Sequence, residues 1–216
     1  MNVVRRAGRF VRWVAPAFLL VAVMANPAAA ATTDPFDSPD LSGYVAGGAP
    51  GWFVESGRLA HTYASNAGYV ELVRPAETPR SEALLTLSPG RSNAGLTALW
   101  KDHSNHLWAK LEVSPGNPSG LMSIGRRRAG KVTSLLVSSK GGLVAGATYR
   151  VVLQVSGGVA TFTATGVSVG FSRTISYRLT AEDLKAFGTG SKAGVRAKYL
   201  WDEDDGGSRW DDLTVG

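Results

Sequence analysis

Two histidines, His103 and His106, stand close together, with Lys101, Asp102 and Asn105 beside them and Trp108 just beyond. Imidazole, carboxylate and amide groups hydrogen-bond hydroxyls, and an indole offers an apolar face for a sugar ring. His103, Asn105, His106 and Trp108 are therefore candidate ligand contacts; Trp201, bordering an acidic run, is a fifth. Two imidazoles and a carboxylate could also begin a metal site, though closed sites usually take four ligands. The plainer alternative is a polar, solvated hairpin turn. Arg126, Arg127, Arg128 and Lys131 form the one basic run, suited either to an anionic polymer or to a solvated turn. Acids gather at both ends: Asp34, Asp37 and Asp40 early, then Asp202, Glu203, Asp204, Asp205, Asp211 and Asp212 late. With no cysteine in 216 residues, a disulfide framework, a thiolate zinc site and a cysteine nucleophile are excluded.

The elements that must position these residues read as strands. Turn signals recur at short intervals: Gly47-Gly48, Ser56-Gly57, Pro89-Gly90, Pro115-Gly116, Gly141-Gly142, Gly157-Gly158 and Gly206-Gly207. Between them lie short β-branched, aromatic and aliphatic runs, the pattern of an all-β sandwich. The spacing predicts strands over Trp52–Glu55, Arg58–His61, Tyr69–Val73, Ala83–Leu87, Gly95–Trp100 and Leu107–Val113. Further strands follow over Leu121–Ile124, Val132–Val137, Thr148–Val155, Val159–Thr165, Phe171–Leu179, Val195–Leu200 and Arg209–Val215. Leu107, Ala109, Leu111 and Val113 alternate with Trp108, Lys110 and Glu112, so Trp108 falls opposite the apolar set of its strand. One helix is expected, Ala181–Phe187, with Thr180 as N-cap and Gly188 as the C′ residue.

The net charge of +6 belongs mostly to the first 30 residues. They hold Arg5, Arg6, Arg9 and Arg12, no acid, an apolar run from Val14 to Met24, and an A-x-A site at Ala28–Ala30. This is the order of a cleaved secretory signal. Without those four arginines, 19 basic residues face 17 acids, a net of +2. A general nucleic-acid or anionic-membrane surface loses its support. The expected organisation is a signal peptide over 1–30 and one soluble domain over 31–216, secreted or at the exterior of the cell envelope, monomeric, with no membrane span in the mature chain.

Several segments resemble concanavalin A-like lectin/glucanase domains. Gly51–Leu59 (GWFVESGRL) resembles their opening, Gly95–Trp108 their central hairpin, Thr148–Gly166 a later one, and Ala193–Ala197 with Arg209–Val215 the close. The resemblance covers Asp34 to Val215 and implies a LamG-like secreted jelly roll of two antiparallel sheets, its first and last strands adjacent. That adjacency would bring Asp34 and Asp37 near Asp211 and Asp212, where a structural calcium could take carboxylate oxygens. The alternative is that Asp211 and Asp212 only bond turn backbone amides. Trp52 and Trp210 fall where such domains place core aromatics. No strand carries the alternating carboxylates of a laminarinase-type glucanase. Alginate-lyase-type jelly rolls are echoed by Arg80–Leu84 and by Lys192–Arg196, but their Q-x-H strand has no match.

The function expected from this reading is carbohydrate binding by a lectin-like jelly roll, with a polysaccharide or glycan as partner and no nucleic acid. The alternatives are a polysaccharide-cleaving enzyme of the same fold, similar to an alginate lyase, and a structural or adhesion module. No complete catalytic motif is present.

Overall fold

The clearest hairpin of the sequence folds as its alternation predicts. Thr148–Ser156 pairs antiparallel with Val159–Gly166, so that Val151 opposes Ala164 and Leu153 opposes Phe162, all buried on one face. Gly157 and Gly158 turn it with φ of 56° and 73°, the left-handed pair that a two-residue hairpin turn requires. The computed structural model describes residues 31–61, 68–198 and 207–216. The leader over 1–30, Trp201 and the acids Asp202 to Asp205 lie outside the described residues.

In chain order the strands are β1 (Thr32–Asp34), β2 (Val45–Gly47), β3 (Trp52–Glu55), β4 (Arg58–His61), β5 (Tyr69–Pro75), β6 (Arg80–Thr86), β7 (Ser92–Asp102) and β8 (Asn105–Ser114). Next come β9 (Asn117–Arg128), β10 (Lys131–Ser138), β11 (Thr148–Ser156), β12 (Val159–Gly166) and β13 (Ser172–Arg178). The helix α1 (Ala181–Phe187) precedes β14 (Lys192–Lys198) and β15 (Arg209–Val215). An eight-stranded sheet runs β13-β12-β11-β6-β15-β4-β3, with β1 added on β15; a seven-stranded sheet runs β10-β9-β8-β7-β14-β5-β2. All pairings are antiparallel, and β1 lies beside β15 with Asp34 opposite Leu213. This is the two-sheet jelly roll, with its first and last strands adjacent.

The inner faces meet in one core. Leu72, Leu96, Leu107, Leu111, Met122, Ile124 and Val195 come from the seven-stranded sheet, and Leu59, Leu85, Leu153, Phe162 and Leu213 from the other. Trp210 is buried there, its Nε1–H donating to Gly95 O at 3.1 Å, and Trp52 packs on its ring at 5.5 Å. Both act as core aromatics.

Helix α1 packs against β7, β8 and β9. Thr180 Oγ1 accepts from Asp183 N at 3.2 Å, and the Asp183 side chain accepts from Thr180 N at 3.3 Å, a reciprocal cap. Gly188 ends the helix in a right-handed conformation, φ −63°, instead of the expected left-handed one. Space requires the glycine: a Cβ there would lie 2.4 Å from Leu184 O.

The arginine run corrects the sequence reading. Arg126–Arg128 finish β9, and the turn that follows is Ala129-Gly130, both at positive φ. Strand alternation then divides the three. Arg126 pairs with Asp183, and Arg128 lies 2.8 Å from Glu182 and 3.7 Å from Asp183. Arg127 points to the opposite face.

Candidate functional site

On the outer face of the seven-stranded sheet, cross-strand register assembles charged and polar side chains from distant parts of the chain. Glu71 on β5 stands opposite Arg196 on β14, which stands opposite Gly95 on β7, which stands opposite Lys110 on β8, which stands opposite Ser123 on β9. In the neighbouring row Thr97, Trp108 and Gly125 follow one another, and beyond it His106 faces Arg127. The glycines leave room for the large groups. A Cβ at Gly125 would sit 2.0 Å from Trp108 Cζ2, so the indole lies directly over that backbone.

Trp108 is 1% exposed, which corrects its role as an open stacking platform. Its phase is as expected, opposite Leu107 and Leu111, but this outer face is covered. The Arg196 guanidinium sits 4.4 Å from the centroid of the Trp108 ring and 3.7 Å from that of Tyr69. Arg196 is itself 1% exposed; among the described residues its charge is held by the neighbouring Tyr69 side chain and the Glu71 carboxylate, with no other partner for its three side-chain nitrogens. Burial pulls its pKa down to about 10, opposed by Tyr69 and Glu71, so it remains a cation at neutral pH.

The histidines converge on a carboxylate that sequence reading missed. His103 Nδ1–H donates to Glu71 Oε2 at 2.6 Å, and its Nε2 faces a guanidinium N–H of Arg127. His106 is fully buried; its Nδ1–H donates to the Asp102 carbonyl at 3.2 Å, and its Nε2 lies 3.4 Å from Glu71 Oε1. The solvated-turn expectation therefore fails for His106, because strand β8 carries it inward beside Glu71. Burial alone would raise the Glu71 pKa, but the neighbouring His103 and His106 imidazoles outweigh it and hold the pKa at about 2.

Asn105 is committed elsewhere. Its amide donates to Asp102 Oδ1 at 3.0 Å, and its oxygen accepts from Ala129 N at 3.1 Å. It staples the β7–β8 turn to the β9–β10 turn and is not free to meet a ligand. Lys110 pairs with Glu112, which also accepts from Asn93 Nδ2 at 3.0 Å. Trp108 Nε1, Ser123 Oγ, Asn93 Oδ1, Glu71 Oε1 and His106 Nε2 are also buried without a hydrogen-bond partner among the described residues. Glu71 and Arg196 carried a signal in the sequence: each is a lone charge inside an apolar strand, VELV and GVRA, where only a paired or ligand-facing charge is tolerated.

The four acids expected at a calcium do not form a cage. Asp34 accepts from Phe36 N and from the Tyr44 hydroxyl, each at 2.8 Å, with Arg74 at 3.8 Å. Asp37 is exposed. Asp211 accepts from Asp212 N at 2.9 Å, at a bulge where Asp212 has φ 49°. Among the described residues, no group of three or more His, Asp or Glu side chains is arranged to hold a metal. The two lyase-like echoes also separate. Glu82 pairs with both Arg80 and Arg150 on the eight-stranded sheet, whereas Arg196 belongs to the other. No helix among the described residues is long and apolar enough to cross a membrane.

No family model matches the chain. None of the curated proteins compared with it matches either. Solved structures do. Lectin II from Ulex europaeus superposes with a TM-score of 0.61 at 12% identity, covering 86% of this chain and 97% of the lectin. The CBM2 module of the evolved Dit protein of Lactobacillus casei BL23 phage J-1 gives 0.56 at 10% identity, covering 85% and 93%. The GH43 protein BlXynB of Bacillus licheniformis gives 0.56 at 14% identity over 83% of this chain and 35% of its own. The likeness is one of fold, and the fold is the concanavalin A-like jelly roll.

Proposed function

We propose that this chain binds carbohydrate on the outer face of its seven-stranded sheet. The observation that carries this reading is a set of buried polar groups around Trp108 that have few or no partners among the described residues: Trp108 Nε1, Ser123 Oγ and the Arg196 nitrogens. Buried polar atoms are nearly always hydrogen-bonded, and a concentration of exceptions on one face marks where a polar ligand completes the set. The fold supports it: the matching structures include the lectin UEA-II complexed with galactose and the VIP36 lumenal domain in a Ca²⁺/Man3GlcNAc-bound form. His103, at the rim, and Lys110 are the further contacts; Asn105 positions the turn. The described acids do not fit a calcium, so a bound ion would need ligands from the Asp202–Asp205 segment.

The leader over 1–30 is removed on export, and a monomeric domain over 31–216 works outside the cell or at its envelope. On a glycan array the exported protein should bind a defined subset of sugars, and Ser123→Ala should weaken that binding with little change in melting temperature. A folded sample that binds no glycan overturns the reading. The alternative of a polysaccharide-cleaving enzyme has the likeness in fold to the GH43 protein in its favour, although both ring nitrogens of His103 are engaged, by Glu71 and Arg127. Release of reducing ends from a bound polymer by the same sample would decide for cleavage.

A further inference from the structure

One imidazole on this face stands between an anion and a cation. His103 Nδ1–H donates to Glu71 Oε2 at 2.6 Å, and its Nε2 receives an N–H from the Arg127 guanidinium. A guanidinium has donors only, so this contact needs the Nε2 lone pair and therefore the neutral, Nδ1–H form of the ring. A second proton on the ring would set N–H against N–H and one cation against another.

The surroundings decide which contact then breaks. Glu71 is fully buried on β5, and its bond to the ring becomes charge-assisted, hence stronger, once the ring is protonated. With its pKa held at about 2, Glu71 stays an anion over the whole range in which imidazoles titrate. The ring has little room to turn. A Cβ on Gly47 would lie 3.2 Å from its Nδ1 and one on Gly48 3.1 Å from its Cε1, so β2 and the turn after it lie against the imidazole. Arg127 is only half-buried. Among the described residues its holds are His103 and the Gly130 carbonyl, to which its Nε donates at 3.2 Å, and the buried Arg196 cation repels it.

The other charged groups nearby replace neither partner. His106, with its ring centroid 6.4 Å away, donates to Asp102 O and faces Glu71. The Asp102 carboxylate is taken by Ser104 N and the Asn105 amide, Arg196 on β14 stands across from Glu71, and Lys101 is exposed.

We infer that His103 is a proton-operated latch on Arg127: the neutral ring holds the guanidinium against the sheet, and the protonated ring keeps Glu71 and releases Arg127 to solvent. This goes beyond the carbohydrate reading and does not depend on what the face binds.

The test is a nitrogen-15 NMR titration of the protein as a secreting host delivers it, from about pH 8 to about pH 5, the span over which imidazoles titrate. Long-range spectra of the rings report the proton on each histidine nitrogen, and the arginine region reports whether the Arg127 Nη protons are held. At the alkaline end His103 should show the Nδ1–H form and Arg127 resolved Nη signals. Those signals should collapse to the averaged position of exposed Arg58 in step with protonation of His103, at one common midpoint. Solvent exchange alone runs the other way, because guanidinium protons exchange more slowly in acid. His103→Gln, neutral throughout, should leave the Arg127 signals constant across the titration; the wild-type titration decides alone if that variant does not fold. Arg127 signals that are not held at the alkaline end, that persist after His103 is protonated, or that change at another midpoint overturn the latch. An Nε2–H form of His103 at the alkaline end, or a ring still neutral at the acid end, overturns it too. Arg127 signals that still collapse in folded His103→Gln assign the change to another group, His106 first, and overturn it as well.

Discussion

Glu71 links the candidate site to pH. Burial works to raise its pKa and the two imidazoles work to lower it, and the imidazoles prevail, leaving it at about 2. A folded-state pKa below the ordinary 4.5 means that the folded protein binds this proton less readily than the unfolded chain. The stabilisation is therefore present above pH 4.5 and is lost as the pH falls toward 2. Denaturant titrations between pH 6 and pH 2 should show a stability decline over that window, flattened in Glu71→Gln. Trp108 is the other residue that binds the face together. Trp108→Ala should cost about 3–5 kcal/mol, as truncation of a buried aromatic does. Gly125→Ala should also destabilise, because its Cβ would have to displace the indole. Calorimetric melting checks both, and an unchanged melting temperature for Trp108→Ala would return the ring to the role of an open platform. The phase of Trp108 was legible in its own strand. Its burial was not, since the guanidinium that covers it comes from β14, 88 residues further along the chain.

At the scale of elements, period-two alternation located the hairpins because burial on one face leaves a local trace. Leu153 is fully buried and its neighbour Gln154 exposed. Leu153→Ala should cost about 2–5 kcal/mol, and Gln154→Ala no more than roughly 0.5 kcal/mol. Comparable losses in the two variants would mean that β11 is out of phase. The same logic fails for Lys110, expected on an open face: it is 8% exposed and paired with Glu112, so its truncation should be felt. The helix was legible from Thr180 and its acids, and its end was placed correctly although the reason was spatial and not conformational. Thr180→Ala should lose about 0.5–2 kcal/mol with the cap. Asp183→Asn should lose more, because Asp183 is fully buried and also pairs with Arg126. That pairing could not be read from Arg126-Arg127-Arg128 as a run, since three adjacent arginines look alike until a strand sends alternate ones to opposite faces.

At the scale of the molecule, the site exists only through topology. Glu71, His106, Arg127 and Arg196 meet because β5, β14, β7, β8 and β9 lie side by side in one sheet. Sequence spacing joined His103 to His106 and stopped there. The same arrangement sets the order in which the chain can assemble. β15, which follows every other described strand in the chain, does not lie at an edge; it fills the place between β6 and β4, and β1 pairs onto it. At about 5–20 residues per second, roughly 6–25 s separate the synthesis of β6 from that of its neighbour. Throughout that interval β6 has β11 at most on one side and nothing on the other, and Leu85 and Ala83 have no finished core to enter. A nascent chain held open in this way stays threadable, as the export proposed above requires. The arrangement also forbids partial products: a chain cut before Arg209 loses an interior strand, and it should remain unfolded by circular dichroism whatever the length of sheet that precedes the cut.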